Sequence, residues 1–151
     1  MLAGVSVRDP YEITDVHEPR ARLHTVDGHP EMWFLSADRD RVLPVLAEGR
    51  TVVVPWGGRR GGQLPVALWI RQDTLDAGEL AALEPEEAVI RCDRALDNGI
   101  WYAVAGGIRA VLLRDSDQGR PVVYPLVEPA SSYYAAMTHA EWMPRLVGQQ
   151  I

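Results

Sequence analysis

The sequence predicts a mainly β domain of the α+β kind, one unit spanning 1–151, built of largely antiparallel strands and hairpins with one clear helix. Three observations predict it. Short apolar runs rich in Val, Ile, Trp and Tyr follow one another through tight turns, as in "RVLPVLAEGRTVVVPW" and "IWYAVAGGIRAVLLR". Only one stretch, about 74–84, spaces its leucines along a helical stripe. No linker, internal repeat or low-complexity tract divides the 151 residues, a length that suits one compact domain with a sizeable core.

The elements follow in order. The first 30 residues, with "RDPYE", "VHEPR" and "VDGHP", read as irregular structure holding one short strand at 20–26. "EMWFLS" (31–36) is a strand by its aromatic content. "RVLPVL" (41–46) and "TVVVPW" (51–56) form a hairpin across "AEGR", with Pro44 and Pro55 expected at an edge or a bulge. A helix through 36–49 would carry Pro44 in its interior at a cost of about 3 kcal/mol, so the hairpin is preferred. "GGRRGGQ" (57–63) is a flexible cationic loop, and "LPVALWI" (64–70) reads as a buried strand. The helix at 74–84 takes Thr74 as N-cap, faces inward with Leu75, Leu80 and Leu83, and stops at Pro85. "AVIRC" (88–92) is a strand and "DRALDNG" a turn. "IWYAVA" (100–105) and "IRAVLLR" (108–114) form a second hairpin across Gly106-Gly107. "DSDQG" is a loop, "RPVVYPLV" (120–127) a strand, "SSYYAAMTHAEWM" (131–143) a short helix or loop, and "PRLVGQQI" a last strand.

Composition narrows the function. Net charge is −6, which argues against a general nucleic-acid coat while leaving room for a local basic groove. All 15 basic residues are Arg, for which a GC-rich coding genome is the plainest cause; planar phosphate contacts are the functional alternative. A single cysteine excludes a disulfide framework and a cysteine-rich zinc site. No apolar run is long enough for a membrane span, and the first residues lack the basic start and apolar stretch of a secretory signal, so a cytoplasmic protein with no membrane partner is expected.

Few residues suggest chemistry. Cys92 lies between Arg91 and Arg94, which could lower a thiol pKa, but its place at a strand end reads as core filler. His24, Asp27 and His29 could ligate a metal; their spacing matches no helical pair, so they read as loop histidines and no metal site is expected. His139 is the single candidate acid–base residue. The loop with Arg59 and Arg60 could hold a phosphate or carboxylate, although it is no P-loop, since no Lys-Ser/Thr follows it. Trp56, Trp69, Trp101 and Trp142 are either base-stacking platforms or core.

Read in order, several of these words resemble the SOS-response-associated peptidase (SRAP) family of abasic-site-binding domains. Trp56-Gly57 matches its early Trp-Gly pair. Trp69-Ile70-Arg71-Gln72-Asp73-Thr74 before a helix matches its Asn-Ala-Arg-Ala-Glu-Thr segment. Arg91-Cys92, then Asn98-Gly99-Ile100-Trp101-Tyr102-Ala103, matches Arg-Cys and the Asp-Gly-Phe-Tyr-Glu-Trp strand. Tyr124-Pro125-Leu126-Val127 and His139-Ala140-Glu141-Trp142-Met143-Pro144 close the set, across roughly 50 to 147. The departures are as informative. The family's nucleophilic cysteine after the initiator Met is Leu2 here, its active-site Asn falls on Trp69 and its catalytic Glu on Tyr102; His139 is one residue further from Met-Pro than in the family motif, and the chain ends soon after that motif. The resemblance implies a degenerate, C-terminally short SRAP-like domain in which Cys92 is non-catalytic and Arg71 contacts phosphate.

Three functions compete. The first is a catalytically lapsed SRAP-like domain that binds single-stranded or branched DNA through Arg59, Arg60, Arg71 and Arg91, with Trp56 and Trp69 as stacking surfaces and no cofactor. The second is a protein-binding or homodimeric module on the same fold, for example a partner inhibitor from a virus or mobile element. The third is an unrelated enzyme using His139 with Glu141 or Asp73, for which no nucleophile or metal set is recognisable.

Overall fold

A computed structural model describes residues 1–115 and 119–148. The elements are β1 (Leu2–Arg8), α1 (Pro19–Arg22), β2 (Leu23–Val26), β3 (His29–Leu35), β4 (Val42–Ala47), β5 (Arg50–Pro55), β6 (Ile70–Arg71), α2 (Gln72–Asp76), β7 (Glu86–Ile90), β8 (Arg94–Asp97), β9 (Ile100–Ala103), β10 (Ile108–Arg114), β11 (Pro121–Pro129), α3 (Ser132–Thr138) and β12 (Trp142–Pro144). They form two sheets. One runs β2-β3-β1-β8-β9, the other β12-β11-β10-β7-β4-β5, and β6 joins β11 in parallel. Every other ladder is antiparallel, so the mainly β, antiparallel class expected from the sequence is the class observed.

The two-residue period of the strands divides their side chains between layers. Val5, Val7, Met32, Phe34, Ala95 and Tyr102 of the first sheet meet Val45, Ile90, Ile108 and Ala110 of the second in the main core. The alternate residues Val111, Leu113, Tyr124 and Leu126 point to the far face of the second sheet. There the segment 64–83 covers them with Leu64, Ile70, Leu75, Leu80 and Leu83. The leucine stripe seen in the sequence is therefore real as a contact surface.

The helix itself is not continuous. α2 ends at Asp76, Gly78 takes a φ of 76°, and Ala81–Leu83 forms a separate 3-10 turn. The glycine lets the chain leave the helix, so Leu80 and Leu83 reach the sheet from a different turn than Leu75. The N-cap is Arg71 rather than Thr74, and no side chain caps it.

Other expectations need correction. The N-terminal segment is only partly irregular: residues 9–18 hold no more than a 3-10 turn and β2 falls within the short strand expected, but α1 takes up 19–22 and Leu2–Arg8 is β1, the central strand of its sheet, paired with β3 and β8. The stretch 93–99 is not all turn, because Arg94–Asp97 is a strand joined to β9 by Asn98-Gly99, both at positive φ. The run 64–70 is not a strand except at Ile70. Its carbonyls go to side chains instead of a ladder: Tyr124 Oη donates to Pro65 O and Trp56 Nε1 to Leu68 O. β4 lies inside its sheet despite Pro44. Its register with β7 is the single pair Val45 and Ile90, so little is asked of the missing N–H. The "PRLVGQQI" strand is limited to β12 and a bridge at Leu146; 149–151 and the 116–118 part of the "DSDQG" loop lie outside the described residues.

The second expected hairpin does not form, because β9 and β10 do not pair. β9 belongs to the first sheet and β10 to the second, so Gly106-Gly107 carries the chain from one layer to the other. The passage is tight. A Cβ on Gly107 would lie 2.4 Å from the Ile90 carbonyl, at a φ of 91°. Gly107→Ala should lower stability by at least about 2 kcal/mol, whereas Gly99→Ala, whose added Cβ meets nothing within 4 Å, should cost less. Urea denaturation of the two variants checks this; equal losses would contradict the crossover.

Candidate functional site

Three places on the molecule concentrate polar chemistry. The first lies at the end of β8. Asp97 is fully buried, and its Oδ2 accepts from Tyr134 Oη at 2.7 Å. Tyr134 and Tyr102 share a hydroxyl contact of 2.9 Å and an edge-on ring contact. The Met1 amine pairs with Asp97 Oδ1 at 2.6 Å. Ser131 caps α3 by accepting from Tyr134 N, and Asn98 Nδ2 donates to Thr138 O, so α3 is fixed against the β8–β9 turn. Burial pushes both phenols well above their ordinary pKa. Tyr102, Tyr134 and Asp97 fill this end of the core as a buried hydrogen-bonded chain.

The second place is the outer face of the first sheet. Glu31 is fully buried there, accepting from Ser6 Oγ at 2.6 Å and from Arg94 at 2.5 and 3.1 Å, with Arg8 Nε at 3.5 Å. Burial acts to raise the Glu31 carboxyl, but the Ser6 and Arg94 hydrogen bonds outweigh it and leave the carboxyl below its usual range. Arg94 lies 4.7 Å over the Trp101 ring, Trp101 touches Trp33, and His24 stacks on Trp33 at 3.6 Å. The ring faces and guanidiniums are thus engaged with each other. Trp33 Nε1 is buried without a partner among the described residues.

The third place is the glycine–arginine loop. Its base is held on three sides. Trp56, buried at 1% exposure, donates Nε1 to Leu68 O at 2.7 Å; its carbonyl accepts from Arg41 Nε; Gly57 N donates to Val123 O. Gly58 packs so close that a Cβ would lie 2.0 Å from Pro65 O. Gly61 and Gly62 face open space, with at most Asp115 Oδ2 at 3.8 Å from such an atom. The first two glycines are needed for packing; the last two leave main chain uncovered. Between this loop and β11 is a cavity of about 400 Å³ lined by Arg59, Arg60, Arg120, Asp115, Leu64 and Val122 among others. A neighbouring cavity of about 430 Å³ shares Arg59 and adds His17 and Arg39, but Glu18, Asp38 and Asp40 line it too, and its Arg22 is held by Asp38 and the Asp40 carbonyl.

The residues that the sequence singles out are scattered. Arg59 and Arg60 share the loop cavity. Arg71 does not join them: β6 pairs it with Val127, five residues along β11 from Val122, a separation of roughly 16 Å. There it forms a forked pair with exposed Asp73, whose hydrogen bond holds the Asp73 carboxyl below its usual range, and lies 4.5 Å over Trp142. Arg91 follows Ile90, which pairs with Ile108 at the opposite end of β10 from the cavity, roughly 20 Å away. It is paired with Glu12 and donates to Thr51. Trp56 is core and offers no stacking face, which corrects its expected role. Trp69 is half-buried beside β6. His139 is exposed and ends α3 in a left-handed conformation at φ 60°.

Arg120 is the residue that sequence reasoning missed. It sits past the "DSDQG" loop with no local signal of its own. Pairing of Arg114 with Pro121 brings it back beside the cavity. Among the described residues no group of His, Cys, Asp and Glu could hold a metal ion; Asp27 and Gly28 instead make the β2–β3 turn, both at positive φ. No helix of the described residues is long and apolar enough to cross a membrane. Comparison with family models, with curated proteins and with solved structures gives no match.

Cys92 is buried, and burial, with the Asp93 carboxylate adding to it, pushes its thiol up to about 12. Alkylation by iodoacetamide at pH 8 should therefore be at least about a hundredfold slower in the native protein than in urea. Native labelling at the unfolded rate would contradict the scaffold role.

Proposed function

We propose that the protein is a binding domain without covalent chemistry, a lapsed relative of SRAP domains, that takes single-stranded DNA at the loop cavity. The observation that carries the reading is the pairing state of its arginines. Arg8, Arg22, Arg71, Arg91, Arg94, Arg114 and Arg145 are each paired with a carboxylate. Arg20, Arg39, Arg50, Arg59, Arg60, Arg109 and Arg120 have no side-chain partner among the described residues, and of these Arg59, Arg60 and Arg120 share one cavity. Unpaired guanidiniums keep their fork of donors available for phosphate oxygens. In a chain of net charge −6 such a patch confines a strand to one place.

Loss of the family chemistry is supported by Leu2 and Tyr102. Both stand at positions where the resemblance expects catalytic groups, and both are buried in the core. Arg71, the residue that the resemblance favours, is neutralised by Asp73 and is not assigned the strand. The protein-interaction reading draws on Tyr11, Leu23, Leu46, Val66, Ile100, Tyr133 and Val147, exposed apolar side chains each on a different segment. Scattered single residues of this kind need no partner.

Fluorescence anisotropy with a labelled single strand at low ionic strength tests the proposal. The wild type should bind, and its affinity should fall with salt. Arg59→Ala with Arg60→Ala should weaken binding and flatten the log–log salt slope by about 1.4, the share of two phosphate contacts on a single strand. Absence of binding at low salt, or an unchanged slope in the double variant, would overturn it.

A further inference from the structure

We propose that the loop cavity is a receptor for a phosphate monoester dianion, carried either by a free mononucleotide or by the phosphorylated end of a strand. The inference rests on reading the loop as an anion site and adds which anion it fits. Charge is the first argument. Among the described lining residues Arg59, Arg60 and Arg120 contribute three formal positive charges and Asp115 one negative, a balance of two. A monoester phosphate carries close to two negative charges at neutral pH, whereas an internal phosphodiester carries one. Passing one diester through the cavity would leave a guanidinium uncompensated.

Main-chain donors are the second argument. Gly57 N and Gln63 N are committed to Val123 O and Asp115 Oδ2. Between them, the N–H groups of Gly58 through Gly61 donate to no acceptor among the described residues, while Gly62 closes a turn on Arg59. Gly61, at φ 94°, turns the chain where no neighbour demands a glycine for lack of space. Successive free N–H groups on a glycine turn suit a compact, multiply charged oxygen cluster. Asp115 fixes the loop through Gln63 and tempers the charge.

Shape is the third. The cavity, at about 400 Å³, falls in the range of small-ligand pockets. Its arginines have an apolar counterpart in Pro55, Leu64, Pro121 and Val122, which gives a sugar or base attached to the phosphate a surface to lie on.

Binding of decathymidylate with and without a 5′-phosphate, and of thymidine 5′-monophosphate as competitor, tests this on the whole chain. The phosphorylated strand should bind at least about tenfold more tightly than the unphosphorylated one, and Arg120→Gln should remove most of that preference. Competition by the mononucleotide would show that the free monoester suffices; a preference without competition would assign the site to strand ends. Either result supports the proposal. Equal affinity for the two strands would overturn it and leave the single-strand reading standing. Binding of the mononucleotide alone would keep the pocket and overturn the strand reading. Binding of neither nucleotide nor strand would overturn both.

Discussion

The seat of Trp56 is the constraint on which the molecule turns. Its indole N–H holds the Leu68 carbonyl, its main chain exchanges hydrogen bonds with Arg41, and it bridges Val123 in parallel. One residue thus ties the end of β5, the covering segment 64–70 and β11 together. The second sheet curls as a result, since the strand leaving its β5 edge comes to lie against β11. A large ring fully removed from water also contributes more to stability than any small side chain could. The glycine–arginine loop begins at the next residue. Its two ends are anchored by that seat and by Asp115, so its tip stands out over β11 rather than folding onto the body.

Pairing decides what the remaining charges can do. The first sheet has an outer face that no described helix covers, and its own side chains close it. Glu31 gathers Ser6, Arg8 and Arg94, and beside it His24 stacks on Trp33, which meets Trp101 at a tilt. Composition alone makes these residues look like a nucleic-acid platform. In place, Trp33 Nε1 apart, they engage one another, and a buried carboxylate with several donors leaves little to offer a ligand. The same holds for Arg71 with Asp73 and for Arg91 with Glu12. Around Arg59, Arg60 and Arg120 three guanidiniums without a carboxylate partner line one cavity; Arg20, Arg39, Arg50 and Arg109, also without one among the described residues, lie on other segments.

The legible parts of the fold were those decided locally. The β4–β5 hairpin is marked by Glu48-Gly49, which turns at positive φ between alternating runs, and β11 by its unbroken apolar stretch. Local signals misled where distant partners chose. The central strand β1 has no aromatic residue and is secured by β3 and β8 from far along the chain. Asn98-Gly99 is a strong hairpin signal, yet β8 before it is short and carries Arg and Asp, so it read as turn. Gly106-Gly107 looked like the same device and is a passage between layers, because the close approach to Ile90 is not visible in sequence. At the site, Arg59 and Arg60 were legible from glycine and arginine composition. Arg120 was not, since only the β10–β11 register returns it to the loop.

The central claim is that the three arginines gathered at the loop cavity, Arg59, Arg60 and Arg120, are the ones that take the anion. Arginine side-chain and backbone NMR shifts, followed while a 5′-phosphorylated oligonucleotide is titrated in, test it most directly. The claim predicts that the largest changes fall on Arg59, Arg60, Arg120 and the amides of Gly58 through Gly61, while Arg71, Arg91 and Arg94 stay where they are. Changes centred on Arg94 and Trp101, or on Arg71 and Trp142, with the loop unmoved, would contradict it.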